Sequence, residues 1–263
     1  MTKSLNELRV IYPKKSVDKE IIWDAMNRAL AKILEADDKV TLYGIERKFQ
    51  DVRKYLECSV LDRFDLFTSD FELRYSDNAA RAYGLAKVIE LNGNAVTNWV
   101  AWMQSFYNEA PFISAWVSDI QYSNVQNMDS IRRRKLHGLS YKHYPTIKNQ
   151  APPPCEQVLL DISGNPCRYT IRDGYVEAIG CPMWVSEEFW KLTGTDKDTA
   201  LKQFGEFAKM DGELVKIDMA SEPFHDDSND EDQHRLREIL FGVDKHSNEV
   251  RHYMRKKKGI QLF

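Results

Sequence analysis

Three consecutive prolines, Pro152-Pro153-Pro154, constrain this chain more than any other feature of its sequence. Proline fixes φ and carries no amide hydrogen, so a triplet cannot enter a helix interior or a central strand and favours an extended spacer. The surrounding stretch, residues 146–154, therefore reads as a linker between residues 1–145 and residues 155–263. The 263 residues are enough for one large domain or two ordinary ones, and a 43% apolar share supports a packed core.

Before the linker the apolar spacing is helical. Ile22, Met26, Ala29 and Ile33 recur on one face after Ser16, and Phe49, Val52, Leu56 and Val60 do the same over 45–61. Ser76-Asp77 and Asn92-Gly93 bracket a third helix, 78–91, and a fourth spans 96–107. Residues 62–75 alternate only in part and fit either an extended segment or a helical connector. A polar helix is expected over 125–137.

Beyond the linker, EQVLLDI and RYTIRDGYVEAI, separated by Gly164-Asn165-Pro166 and turning at Asp173-Gly174, predict a small antiparallel meander. Helices are expected at 186–192, 196–210, 230–241 and 247–257, with a strand at 213–219. The fold class expected from these signals is α+β and predominantly α-helical: a helical N-terminal domain, then a C-terminal domain with a small sheet.

In the segment 186–219, Ser186 with Glu187 and Glu188 starts a helix and Thr193-Gly194 ends it. Thr195-Asp196 starts the next, whose apolar face is Leu201, Phe204, Phe207 and Ala208; Asp211-Gly212 and the strand Leu214–Ile217 follow. In that order the segment resembles a winged-type helix-turn-helix domain. The resemblance implies that helix 196–210 is a recognition helix presenting Lys197, Thr199, Lys202 and Gln203 to a groove.

Charge is patterned rather than abundant. With 37 basic and 40 acidic residues the formal net charge is −3, so attraction to a polyanion has to be local. One cationic cluster is Arg132-Arg133-Arg134-Lys135, followed by Lys142 and interleaved with Tyr141 and Tyr144, a combination suited to phosphate attraction and base stacking. A second is Arg251, Arg255, Lys256, Lys257 and Lys258. The acids concentrate in Asp226–Asp232, without the spaced oxygens and central Gly of a calcium loop, and this row reads as a solvated helix start before it reads as a metal site.

Glycine-rich nucleotide loops, nucleophile elbows and paired zinc-ligand motifs are absent, and the four cysteines have no metal-site spacing. The expectation is a non-enzymatic nucleic-acid-binding accessory factor in transcription or replication, with no catalytic residue, cofactor or metal. Alternatives are an interaction subunit of a larger assembly and a metal-dependent nuclease built on 226–232. No window approaches the roughly 20 apolar residues of a membrane span and the first residues lack a signal-like apolar run, so a cytoplasmic protein without membrane contact is expected.

Overall fold

Strand β1 (Asn6–Pro13) points Leu8, Val10 and Tyr12 to one side and Ile11 to the other, and all four are buried. A strand buried on both sides, with Glu7 and Arg9 paired beside Ile11, belongs in the middle of a sheet covered on both faces. The computed structural model, which describes residues 5–77, 83–92, 98–149 and 151–258, places it there.

The chain continues through α1 (Lys19–Leu30), the hairpin β2 (Lys39–Leu42) and β3 (Ile45–Lys48), α2 (Val52–Cys58), and the meander β4 (Arg63–Phe67), β5 (Phe71–Asp77) and β6 (Tyr83–Glu90). Helix α3 (Trp99–Glu109) returns it to β7 (Ser114–Asp119). Short elements follow: α4 (Ile120–Gln126), α5 (Ile131–Leu136), the hairpin β8 (Thr146–Lys148) and β9 (Val158–Leu160), and the hairpin β10 (Thr170–Ile171) and β11 (Val176–Glu177). Last come β12 (Met183–Val185), α6 (Glu187–Thr193), α7 (Lys197–Phe204), β13 (Ala208–Asp211), β14 (Leu214–Ile217), α8 (Asp230–Phe241) and α9 (Lys245–Lys258).

Ten of these strands form one antiparallel sheet in the order β13-β14-β12-β7-β1-β6-β5-β4-β2-β3. This corrects the expectation of a predominantly α-helical fold with a helical N-terminal domain, because strands β1 to β7 all lie before residue 120. The expected helix 78–91 is the clearest case: Tyr83–Glu90 is β6, paired along its length with β1 and β5, while 78–82 fall outside the described residues. Leu85, Ala86 and Val88 are buried on opposite faces of β6, and a run that is apolar on both sides carries no strand period to read. Across the proline stretch, β12 pairs with β7, Met183 opposite Trp116, so one sheet is shared by the two sides of the expected linker.

The sheet is covered unequally. On one face Leu8, Val10 and Tyr12 pack with Ile22, Trp23 and Met26 of α1 and Trp102 and Phe106 of α3. On the other, Ile11, Trp116, Met183 and Ile217 pack with Phe189, Phe204, Leu236 and Leu240 from α6, α7 and α8. Gly180 allows this second layer to approach β7. A Cβ there would lie 2.2 Å from the Val117 carbonyl oxygen and 2.7 Å from Trp116 Cδ1, and the adjacent Cys181 amide donates to that same carbonyl. A third, smaller cluster of Tyr144, Leu160, Val250 and Met254 fastens α9 to the segment around α5 and β9. Among the described residues no helix is long and apolar enough to cross a membrane.

Candidate functional site

Helix α8 starts in the acidic run, with Asp230, Glu231 and Asp232 in its first turn, where carboxylates are favoured by the helix dipole. Helix α9 lies beside it. Arg251 and Arg255, four residues apart, share one of its faces. Arg251 Nη2 is 3.2 Å from Asp230 Oδ2 and 2.8 Å from Glu231 Oε2, Arg255 pairs with the same two carboxylates, and Lys258 Nζ is 3.1 Å from Asp227 Oδ2. The cationic tail and the acidic run, separate in sequence, are each other's partners.

These pairings set the protonation of the cluster. Burial alone would raise the Asp230 carboxyl, but hydrogen bonds from His234 and Arg255 and the charge of Arg251 hold it well below the carboxylate range. Glu231 is lowered in the same way. Burial depresses His234 in spite of its contact with Asp230, so its imidazole is held neutral more firmly than in water. Guanidinium groups occupy the oxygens a hard divalent cation would need, and among the described residues no group of three or more His, Cys, Asp and Glu is placed to hold a metal.

The arginine run divides across α5. Arg134 is buried, 2% exposed, and its guanidinium donates to the carbonyls of Met128 (2.8 Å), Ser140 (3.2 Å) and Val125 (2.7 Å) and to the Tyr144 hydroxyl (3.2 Å). It organises the loop that follows α5. Arg132, Arg133 and Lys135 are exposed, as is Lys142, and Lys135 lies over the Tyr141 ring at 5.3 Å. No carboxylate pairs with these four among the described residues.

Arg132 and Lys135 border a groove of about 810 Å³ between α5 and β9, whose apolar lining is Ile131, Leu136, Val158 and Leu159. Leu136 is 76% exposed and Val158 53%, unusual for large aliphatic side chains that lie in one depression. Neither is among the candidate site residues expected from the sequence, where 158 belongs to a strand of the expected meander. The available signal was Leu136 itself, an aliphatic residue closing a run of four cations.

The remaining expected contacts are dispersed. Lys197 pairs with Glu187, and Lys202, Lys256 and Lys257 are exposed, Lys257 lying over the Tyr253 ring at 5.6 Å. Two short helices meet in this segment: Ser186 and Asp196 cap α6 and α7, and Gly194 between them has φ 70°. The second helix, however, ends at Phe204 rather than 210, because Gly205 turns the chain at φ 59°, and Ala208–Asp211 becomes the edge strand of the large sheet.

A second concavity, about 670 Å³, lies on the other side of α5, lined by Arg134, His143 and Tyr144 together with Asp227, Arg251 and Lys258. It joins members of both expected cationic clusters, on the side where their charge is largely neutralised.

No protein-family model matches the chain. No curated protein sequence matches it. Among solved structures it is similar to a T6SS protein from Pseudomonas aeruginosa, with a TM-score of 0.51 and 7% identity over 96% of this chain and 82% of that one. At that identity the likeness concerns the fold alone.

Proposed function

We propose that the protein is a non-enzymatic interaction module that docks an acidic segment of another protein in the groove between α5 and β9. The observation that carries this reading is the exposed Leu136–Val158 pair rimmed by Arg132 and Lys135, cations with no carboxylate of their own among the described residues. An apolar floor offers nothing to a phosphate, whereas burying an aliphatic partner side chain on it stabilises a complex by about 1.5–3 kcal/mol. The unpaired cations at the rim favour carboxylates on the incoming segment and speed its approach.

Binding of nucleic acid is the reading this displaces. Of the cations expected to contact nucleic acid, Arg134 is buried, and Lys197, Arg251, Arg255 and Lys258 already face carboxylates. A cytoplasmic, reducing setting suits the cysteines, all of them free thiols, two exposed and two buried.

The reading is tested by placing a photo-crosslinking side chain at Leu136 and, separately, at Val60, a comparably exposed aliphatic position. In producing cells, Leu136 should capture one discrete protein species that Val60 does not. Purified, that species should bind the wild type and lose affinity for Leu136→Asp. Identical capture at both positions, or capture of nucleic acid at Leu136, contradicts the assignment.

A further inference from the structure

We propose that the cavity bounded by α5, the 139–144 loop, α8 and α9 binds a small oxyanion, a carboxylate or phosphate ester that also carries a hydrogen-bond donor. Its volume, about 670 Å³, lies within the range of small-molecule sites.

The charges that line it do not cancel. Asp227, Asp230 and Glu231 are matched by Lys258, Arg251 and Arg255, pair by pair. Arg134 is left over. Its hydrogen bonds go to three carbonyls and a hydroxyl, it lies over the Tyr144 ring at 4.3 Å, and none of its contacts is an anion. A buried guanidinium without a counter-ion is expensive, and a bound oxyanion would supply one.

Two orphaned atoms in the same wall point the same way. Gln126, 5% exposed, leaves Oε1 without a hydrogen bond, and Arg251 leaves its buried Nε–H without an acceptor. Buried polar groups are nearly always satisfied, so an unpaired donor and an unpaired acceptor on two side chains that line one cavity favour a ligand that, once each side chain turns slightly toward it, offers the complement of each. The oxyanion accepts from Arg251 Nε, and a hydroxyl or amine on the same molecule donates to Gln126. His143, beside Ser140 at the cavity wall, is kept neutral by burial and by the nearby Lys258 and Arg134, which adds a ring face without adding charge.

The test is calorimetric titration of the full chain with inorganic phosphate, glycerol 3-phosphate and L-malate, paired with thermal unfolding. At least one probe that carries a hydroxyl should give a single saturable isotherm, outbind inorganic phosphate, and raise the melting temperature. Arg251→Lys retains the positive charge toward Asp230 and Glu231 but deletes the Nε donor, and Lys258→Met removes a cation at the cavity wall and leaves Asp227 there unpaired. The first should weaken binding about tenfold, the worth of one charge-assisted hydrogen bond, and the second should weaken it as well, because the uncompensated Asp227 carboxylate then repels the oxyanion. Lys258 is exposed enough for its variant to fold normally. The proposal is overturned if no probe saturates, or if the affinity is the same in wild type and Lys258→Met.

Discussion

The Arg255 guanidinium of α9 donates to the carboxylate of Asp230, 25 residues earlier at the start of α8, and Arg251, one turn back, donates to the same oxygen. A helix end that reads in sequence as a free cationic tail is thereby fastened to the body of the protein. Its arginines serve folding before they can serve binding.

Replacing Asp230 with Asn should therefore destabilise the protein. Asp230 is 27% exposed, so solvent screens part of the interaction and the expected cost is about 1–3 kcal/mol rather than that of a fully buried pair. Because the folded carboxyl titrates below its unfolded value, its contribution is present above about pH 4 and is lost as the pH falls further. Urea unfolding of both proteins at pH 7 and pH 3 should show the difference between them shrink at the lower pH.

His143 should impose a separate pH dependence. Burial, reinforced by Lys258 and Arg134, pushes its imidazole down to about 4, so the unfolded chain takes up a proton near pH 6.5 that the folded chain refuses. Stability is then full above pH 6.5 and declines as the pH falls toward 4. His143→Gln should flatten that decline, leaving the part due to His234, whose imidazole is lowered in the same direction. Melting temperatures across pH 4–7 for the two proteins measure it.

The approach of the second layer to β7 predicts contrasting glycine variants. Gly180→Ala sets a methyl group against the Val117 carbonyl and should cost about 1–3 kcal/mol, at the upper end because the obstacle is backbone. In Gly84→Ala the nearest atom, Tyr12 Cβ, is 3.5 Å away, an ordinary contact, and the change should be close to neutral. Denaturant midpoints of the two variants separate close approach from a general intolerance of alanine in the sheet.

How much of this was legible before the structure varied with the period of each segment. Helix α1 announced itself through Ile22 and Met26, and the Ser186, Gly194 and Asp196 punctuation of α6 and α7 sits where it was expected. Residues 62–75 alternate only in part: β4 and β5 form a hairpin whose outer face carries Asp65, Glu72 and Arg74, with Asp65 opposite Arg74, but Phe67 lies on that face too, opposite Glu72, and breaks the period. Strand β6 was hidden because both of its faces are apolar. The large sheet could not be assembled from local signals at all, since β1 pairs with β6 and β7, strands from the far side of several other elements. Likewise nothing local shows that residues 251–258 fold back onto 227–231. Charge patterning names the groups that seek partners and leaves open whether those partners are internal.

The most direct measurement of the central claim, that binding is of the protein type and centred on Leu136, is a parallel fluorescence titration of wild type and Leu136→Asp. The probes are an acidic leucine-containing peptide and a single-stranded oligonucleotide of equal charge, each at two salt concentrations. The account predicts that the wild type prefers the peptide, that the preference survives the higher salt, and that Leu136→Asp abolishes it. Tighter binding of the oligonucleotide, falling steeply with salt and indifferent to the substitution, would contradict it.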